Sequence, residues 1–287
     1  YSLYSNYTLN VTQINPKDWL SDELFAFNIF ISPKISKLLN KILNNGKSFD
    51  SLCDFCLGLT PYDKYKGHSK NQIENRVFHS TTKKDKTFKK LLSGEDIKRY
   101  CVKWDNGEWI SYGPWLGAPR DPSFFTKQRI IVRQIVSGNP LRIYAAYTDE
   151  ELYNTQIAFN ILLKNDQKYS IKYILGILNS NLMNFYHRNK YLDQSKELFQ
   201  KILIQNAKNF PIHTLDLDVH DEKQHHDRLV QLVDRMMQLT KARHAAASDS
   251  EKELYDHQIK ATDKEIDTLV YKLYDLTDEE IKIVEGG

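Results

Sequence analysis

Cysteine is scarce in this chain: its 287 residues contain only Cys53, Cys56 and Cys101. An odd number of cysteines in a chain of this length does not make a disulfide framework and is typical of a reducing compartment. Cys53 and Cys56 form a C-x-x-C pair, but no second pair follows them. Residues three apart on a strand point to opposite faces, so a structural role is favoured over a zinc or redox pair.

Long apolar runs are also lacking. No run approaches the ~20 residues that a membrane helix needs, and the first ten residues, YSLYSNYTLN, do not have the pattern of a signal peptide. We therefore expect a cytoplasmic protein. The chain starts at Tyr1 in a strand-like segment rather than with Met, so we also expect it to be part of a longer polypeptide.

Motifs of catalysis and nucleotide binding are missing. There is no G-x-G-x-x-G, P-loop, G-x-S-x-G or H-E-x-x-H, and no N-P-P-Y or D-P-P-Y loop of an amino-methyltransferase. Asp96 and Lys98 form half of a metal-dependent nuclease motif, but they fall on an expected helical turn, residues 92–97, without an upstream acidic partner. His225 and His226 lie in an acidic helical pattern that favours a solvated face. We expect no catalytic residue, metal or cofactor in this chain.

Charge is divided unevenly along the chain. Residues 64–133 contain sixteen Lys and Arg against seven Asp and Glu, a local charge of +9, whereas residues 214–287 contain ten against eighteen, a local charge of −8. The middle of the chain could therefore bind a polyanion, and the end could not.

Apolar periodicity and turn residues predict an α+β fold. Two short strands are expected over residues 1–11 and 25–31, followed by a helix over 33–43. The β-rich part that follows, residues 49–147, includes three clear strands, over 109–112, 129–136 and 141–144. A helix over 170–190 then buries one apolar face.

Two long helical patterns, residues 222–244 and 251–274, are separated by a short polar link. Positions of the second alternate spacings of four and three: Tyr255, Ile259, Thr262, Ile266, Leu269 and Leu273. The first has the same rhythm: Leu229, Val233, Met236 and Thr240. Such heptad seams predict an antiparallel two-helix coiled coil within one chain. A capping box at Thr277 and Glu280 then predicts a short helix over 278–284.

Basic residues of the middle region are interleaved with aromatic and amide side chains. The candidates for DNA contact there are Lys66, Lys70, Lys83, Lys84, Lys86 and Arg120. Lys and Arg neutralise phosphates, while Asn, Gln and Arg can pair with base edges, so the mixture suits duplex DNA. A solvated basic surface is the alternative. Arg129 and Arg133, four apart on an apolar strand, are partly structural candidates.

Five segments in order carry a family resemblance: LLSGEDIKRY (91–100), KQRIIVRQ (127–134), GILNSNLMNFYH (176–187), NFPIHTL (209–215) and IDTLVYKLYDLTDEEIKIVEG (266–286). Together they resemble the carboxy-terminal specificity region of TaqI-like and type IIG restriction-modification DNA methyltransferases, and more distantly type I specificity subunits. The resemblance runs from Phe49 to Gly286.

The resemblance implies a division of the chain into three parts. These are a connecting segment over 1–48, a target recognition domain over 49–213 and a helical spacer over 214–287. It implies sequence-specific recognition of double-stranded DNA, with catalysis left to methyltransferase or nuclease domains that precede this region. Those domains would use S-adenosylmethionine, and Mg²⁺ if the parent also cleaves, and the family suggests adenine as the modified base. A monomer without membrane contact is expected.

One loop, residues 187–196, follows the buried helix and is the candidate for base contact. Its candidate residues are Arg188, Asn189, Lys190 and Gln194. A rigid helix beneath the loop would lower the entropic cost of ordering them on DNA. Alternatively, Arg188 and Lys190 complement the helix dipole. At the level of function, the alternative to DNA recognition is a module that docks a partner subunit through the hairpin, with RNA binding a third possibility.

Overall fold

The computed structural model describes residues 32–192 and 200–286. Its helices are α1 (Pro33–Asn44), α2 (Phe49–Leu52), α3 (Lys70–Glu74), α4 (Ser123–Thr126), α5 (Ile171–Asn179), α6 (Asn181–Tyr191), α7 (Ile204–Lys208), α8 (His220–Ala245), α9 (Asp249–Leu273) and α10 (Asp278–Glu285). Its strands are β1 (Lys47–Ser48), β2 (Cys53–Leu57), β3 (His79–Ser80), β4 (Phe88–Leu92), β5 (Ile97–Lys98), β6 (Cys101–Val102), β7 (Trp109–Ser111), β8 (Arg129–Arg133), β9 (Ala145–Thr148), β10 (Tyr153–Asn154), β11 (Ala158–Leu163) and β12 (Pro211–Ile212).

Two four-stranded sheets form the body of the protein. The first is antiparallel, with strand order β2-β11-β8-β9, and the second has the order β10-β4-β7-β3, with β10 parallel to β4. Alternate residues of β8 point to opposite faces of the first sheet, as strand geometry requires. Ile130 and Val132 join the core under the helices, whereas Ile131 packs with Leu92 and Ile97 on the other side. The first sheet is therefore covered on both faces, and the expected α+β class is confirmed.

The helix expected over 170–190 is divided at Ser180. The Ser180 hydroxyl accepts a hydrogen bond from the Met183 N–H at 3.2 Å and so caps α6, while its own O–H donates to the Ile177 carbonyl at 2.7 Å. Beside the break, the buried Asn179 amide pairs with both backbone groups of Ala145, at 2.9 and 3.3 Å. The break therefore ties the helices to the edge strand β9.

The strand expected over 141–144 is wrong, and the partner of β8 is β9. In place of a neighbouring strand, the Ile143 N–H donates to the side chain of Asn184 on α6, at 2.6 Å. The single helical turn expected over 92–97 is also wrong. A turn joins β4 to β5 there, closed by a 2.6 Å hydrogen bond from the Ser93 N–H to the Asp96 carboxylate.

The helix expected over 33–43 is confirmed as α1, with Pro33 in its first turn and Ser32 as its N-cap. The two strands expected over 1–11 and 25–31 lie outside the described residues. The helical hairpin is confirmed by α8 and α9, which pack together along their length, and the capping box at Thr277 opens α10 as expected.

The hairpin packs on the body as well as on itself. A Cβ atom at Gly176 of α5 would lie 2.9 to 3.0 Å from side-chain atoms of Leu229 and Val233 on α8, so the absence of a side chain allows the two helices to approach closely. Leu229, Val233 and Ile266 belong to one buried cluster that also contains strand residues of the first sheet. The core is thus continuous across residue 213, and the three-part division of the chain stays a prediction. Within the described residues, no helix has the length and apolar character needed to cross a membrane.

Ile266 offers a direct measure of this packing. Its side chain is fully buried, whereas Ile259, one heptad earlier, is only partly buried. Ile266→Val is expected to lower the free energy of unfolding by about 0.5 to 1.5 kcal/mol, because it removes a buried methylene and leaves a cavity. Urea denaturation measures the change, with Ile259→Val as the matched control. Equal costs for the two variants would contradict this packing.

Candidate nucleic-acid interface

Lys83, Lys84 and Lys86 lie together on the exposed loop between β3 and β4. The loop is held by Asp85, whose carboxylate accepts hydrogen bonds from the N–H and the hydroxyl of Thr87, at 2.7 and 2.6 Å. These bonds lower the pKa of Asp85. Thr87 in turn contacts the Ser111 hydroxyl of β7 at 2.9 Å. Within the described ranges, none of the three lysines forms an ion pair, although Asp85 lies between them, so a fixed loop presents three exposed cations and one carboxylate to solvent.

Two tryptophans lie beside this loop. The Lys83 ammonium is 5.9 Å from the centre of the Trp109 ring, and the Lys90 ammonium is 5.1 Å from that of Trp104. The rings themselves meet edge to face at 5.1 Å. The Trp104 indole N–H donates to the backbone carbonyls of Leu91 and Glu108, which fixes its ring across two strands. Lys90 is therefore an additional candidate that the sequence did not single out, because only the pairing of β4 with β7 places it opposite Trp109.

A second group of cations lies on residues 64–70. Lys66 is exposed at the end of a short 3-10 turn whose first residue, Lys64, holds its ammonium 4.7 Å from the exposed ring of Tyr65. Lys70 begins α3 and lies 3.7 Å from Glu74, with 88% of its side chain exposed. An ion pair of such exposure contributes little and leaves the lysine available to another anion.

Arg120 is turned towards the protein backbone. Its φ angle is +64°, and its carbonyl accepts a hydrogen bond from the Tyr112 hydroxyl at 2.9 Å. Its Nε donates weakly to the Gly58 carbonyl at 3.5 Å. Arg120 thus supports the start of the connection after β2, and its contact with DNA stays a prediction.

The loop expected over 187–196 is wrong for residues 187–191, because α6 continues through Tyr191. The Tyr191 ring packs near Tyr186 and Phe210, at centroid distances of 6.2 and 5.9 Å, which extends the apolar face of the helix by a turn. His187 is buried, with 1% of its surface exposed, and burial lowers its pKa to about 4.

The basic and amide residues of this segment therefore lie on the last turn of a helix. The Arg188 guanidinium donates to the Leu141 carbonyl at 3.3 Å, and its burial lowers its pKa. The Asn189 amide donates to the Phe185 carbonyl one turn earlier, at 2.9 Å. Lys190 is half-buried, and Gln194 lies outside the described residues. Arg188, Asn189 and Lys190 therefore lie on a helix and not on the expected loop. Their contact with DNA stays a prediction.

Arg129 and Arg133 have different surroundings. Arg129 is fully buried and donates to the carbonyls of Lys127, Glu150 and Leu152 at 2.7 to 3.0 Å, and burial lowers its pKa to about 10. Arg133 is half-buried, with its guanidinium 4.0 Å from the centre of the Tyr144 ring. Arg129 is thus structural, whereas Arg133 is accessible.

Among the residues that the structure describes, no group of His, Cys, Asp and Glu is arranged to hold a metal ion. Asp96 accepts hydrogen bonds from the N–H groups of Ser93 and Asp105, at 2.6 and 3.3 Å, and so closes its own turn. The three cysteines are free thiols, and burial raises the pKa of Cys53 to about 12. The exposed lysines described above are the groups of this surface that suit an anion.

A β-rich body packed on a helical hairpin is the α+β arrangement that the sequence pattern predicted. Residues 89–212 match the model of the TaqI-like C-terminal specificity domain family. The resemblance inferred from the sequence is therefore confirmed over this segment, which extends from β4 to β12. No curated protein sequence matches the chain.

Several solved structures are similar to this chain at low sequence identity. The type IIL restriction-modification enzyme MmeI, solved in complex with DNA, is 13% identical over 82% of this chain and 34% of its own, with a TM-score of 0.44. The type IIG restriction endonuclease BpuSI is 11% identical over 85% and 34%, with a TM-score of 0.47. The HsdS subunit from Thermoanaerobacter tengcongensis is 10% identical over 84% and 50%, with a TM-score of 0.38. The chain thus spans about a third of the length of the two restriction enzymes.

Proposed function

We propose that this chain recognises a specific sequence of double-stranded DNA within a restriction-modification protein. The observation that carries the proposal is the fixed loop of Lys83, Lys84 and Lys86, which immediately precedes the matched specificity segment at residue 89. Three exposed ammonium groups, with Asp85 as the one carboxylate between them, are suited to phosphates, whose neutralisation releases counterions. Phosphate contacts hold a protein in register on the duplex, so that other side chains can read base edges.

The carboxy-terminal part of the chain, residues 214–287, has the opposite electrostatic character. Its arginines are engaged with acidic residues of the same hairpin: Arg228 with Glu265 at 2.7 Å, and Arg243 with Asp256 at 2.7 Å. Residues 214–287 carry a local charge of −8, which repels phosphate; the two long helices, with eleven Asp and Glu against nine Lys and Arg over 220–273, contribute −2 of it. In this proposal the hairpin therefore stays off the DNA and acts as a spacer or docking surface for the domains that carry catalysis.

The proposed function also implies partners for this chain. Methyltransferase or nuclease domains of the parent polypeptide would supply the S-adenosylmethionine and metal chemistry, with adenine the base suggested by the family. The second candidate is a module that docks a partner protein through the hairpin, favoured by Leu254 on α9, of which 56% is exposed.

A salt titration separates the two candidates. For the isolated chain with a fluorescent random 30-base-pair duplex, log affinity should fall linearly with log salt concentration, with a slope of about −0.9 for each phosphate contact. A slope near zero, or no binding at 50 mM salt, would contradict the DNA proposal and favour docking of a protein.

The triple variant Lys83→Ala, Lys84→Ala, Lys86→Ala is expected to weaken binding to all duplexes to a similar degree. If each lysine contacts one phosphate, the slope should become shallower by about 2.7. The matched control removes the same charge from exposed hairpin lysines: Lys241→Ala, Lys260→Ala and Lys264→Ala. Similar losses from both triple variants would indicate an effect of net charge alone and would contradict the assignment of phosphate contacts to the loop.

A further inference from the structure

Among the described residues, Tyr65 is the large apolar side chain with the greatest exposure. It lies in the middle of the three-residue 3-10 helix Lys64–Lys66, and 85% of its surface is in solvent. Its neighbours along the chain are two exposed lysines. Single exposed apolar side chains are common on proteins, so exposure alone does not identify a site. What distinguishes Tyr65 is the turn that carries it.

This turn, residues 63–67, is closed at both ends and is called the tyrosine turn below. At its start, the Asp63 carboxylate accepts a hydrogen bond from the Tyr65 N–H at 2.9 Å. At its end, Gly67 has a φ angle of +90°, a left-handed conformation that favours glycine. The Gly67 N–H donates to the Lys64 carbonyl at 3.3 Å. The backbone beneath the tyrosine ring is therefore set before any ligand binds.

His68 anchors the tyrosine turn to the connection after β7. Its Nδ1 atom accepts the Asp63 N–H at 2.8 Å, so Nε2 carries the proton and donates to the Trp115 carbonyl, also at 2.8 Å. A Cβ atom at Gly117 would lie 2.9 Å from the Asp63 side chain, so the absence of a side chain there allows the two segments to touch. The tyrosine turn thus rests on a second, fixed segment.

Tyr62 connects the tyrosine turn to the lysine loop, residues 81–87. Its hydroxyl accepts the Phe78 N–H at 3.0 Å and contacts Nδ1 of His79 at 2.8 Å. Its ring stacks on that of Phe78, at a centroid distance of 5.2 Å. His79 lies in the edge strand β3, and Lys83 follows four residues later, so their Cα atoms lie within about 14 Å of each other. A duplex held by the lysine loop is therefore within reach of the tyrosine turn.

The charges around the tyrosine turn favour a polyanion. Residues 63–70 contain three lysines against Asp63, and Glu74 lies 3.7 Å from the last of these lysines, Lys70. The Lys64 ammonium lies 4.7 Å from the centre of the tyrosine ring. This cation–π contact restrains the ring and so lowers the entropic cost of ordering it on a ligand.

The size of this protrusion selects one groove of the duplex. The major groove is about 12 Å wide and admits a helix or a two-stranded ribbon, whereas the minor groove is about 6 Å wide. A single ring at the apex of a short turn is too small to fill the first groove and suits the second. The minor-groove floor of A·T pairs presents only acceptors, to which a phenol O–H can donate. Lysines on both sides of the ring suit the phosphates that border the groove.

We propose that Tyr65 enters the minor groove of bound DNA, where its hydroxyl donates to A·T base pairs and the amino group of guanine opposes entry of the ring. Lys64 and Lys66 then contact the bordering phosphates. This inference rests on the proposed function, since the lysine loop holds the duplex. Tyr65 is thereby a specificity-determining residue, and its own contact carries no charge.

The test compares three fluorescent 30-base-pair duplexes: one of A·T pairs, one of G·C pairs, and the G·C sequence with inosine in place of every guanine. Inosine keeps the major-groove groups of guanine and lacks its minor-groove amino group. The parent protein should bind the A·T and inosine duplexes about fivefold more tightly than the G·C duplex, the effect of one hydrogen bond. Tyr65→Ala should remove this difference and leave the slope of log affinity against log salt unchanged, because it removes no charge.

The triple lysine variant is the matched control, because it should weaken binding to all three duplexes in parallel and make the salt slope shallower. Equal affinity of the parent protein for the three duplexes would overturn this inference and leave the proposed function intact. Inosine and G·C duplexes that bind equally, or a difference that survives in Tyr65→Ala, would assign the preference to other groups and also overturn it. Absence of salt-dependent binding to all three duplexes would instead overturn the proposed function.

Discussion

Asp263→Ala is expected to lower the free energy of unfolding by about 3 to 5 kcal/mol, because it leaves the largely buried Arg99 without its hydrogen-bonded anion. Both Asp263 carboxylate oxygens accept hydrogen bonds from the Arg99 guanidinium, at 2.8 and 3.0 Å, and 18 to 19% of the two side chains is exposed. Arg142 is 3.5 Å from the same carboxylate, so removal of the carboxylate would also leave the cations of Arg99 and Arg142 facing each other. Urea denaturation of the variant and parent measures the change.

Glu265→Ala is the matched control, on the same helix two residues later. Its ion pair with Arg228 is as short, at 2.7 Å, but 53% and 41% of the two side chains is exposed. Such a pair contributes less than about 1 kcal/mol. Equal losses of stability for Asp263→Ala and Glu265→Ala would mean that water solvates Arg99 in the variant. The charge cluster of Arg99, Arg142 and Asp263 would then have no special role in stability.

The Arg99–Asp263 pair joins the β-rich body to the helical hairpin, which the sequence pattern predicted as separate parts. Arg99 lies in the matched specificity segment and also donates to the Asn179 carbonyl at 2.9 Å, while Asp263 lies on the hairpin. A bidentate pair fixes direction as well as distance. We infer that the hairpin holds a fixed orientation relative to the candidate interface, as the proposed spacer role requires.

Local signals predicted the elements that depend on neighbours in the sequence. The hairpin follows from apolar residues at heptad spacing, such as Ile259 and Ile266, and α10 follows from the capping box at Thr277. Ser180, an N-cap residue within an apolar run, was a readable signal for the break between α5 and α6 that the continuous helical pattern obscured.

Elements that depend on distant residues could not be predicted in this way. Residues 141–144 have a strand-like composition, yet Ile143 bonds to Asn184, forty-one positions later. The helical continuation to Tyr191 depends on Phe210, nineteen positions later in the sequence. In the candidate site, the exposed lysines were named from composition, whereas Lys90 became a candidate only because β4 pairs with β7 and places it opposite Trp109.

Asp267→Asn is expected to stabilise the protein at neutral pH and above. Asp267 lies on α9 with 5% of its surface exposed, and its carboxylate accepts the N–H of Asn181 in the first turn of α6 at 2.7 Å. Burial raises its pKa from 3.8 to about 7, and Asp263 adds to this, while the Asn181 N–H, Arg99 and Arg142 oppose it. An asparagine keeps the accepting oxygen and cannot ionise.

The sign of the pH dependence follows from proton binding. Between about pH 4 and pH 7 the folded protein holds a proton on Asp267 that the unfolded chain has lost, so this residue's contribution to stability falls as the pH rises through that window. The stability of Asp267→Asn minus that of the parent should therefore grow over this range, by at most about 4 kcal/mol at about 1.4 kcal/mol per pKa unit, and level off above it. Urea denaturation at pH 4.5, 6 and 8 measures the difference, and Glu265→Gln, exposed on the same helix, should differ from the parent by less than about 1 kcal/mol at each pH. A constant difference for Asp267→Asn across this range would mean that Asp267 is ionised in the folded protein throughout and that the charge cluster around Arg99 compensates its burial.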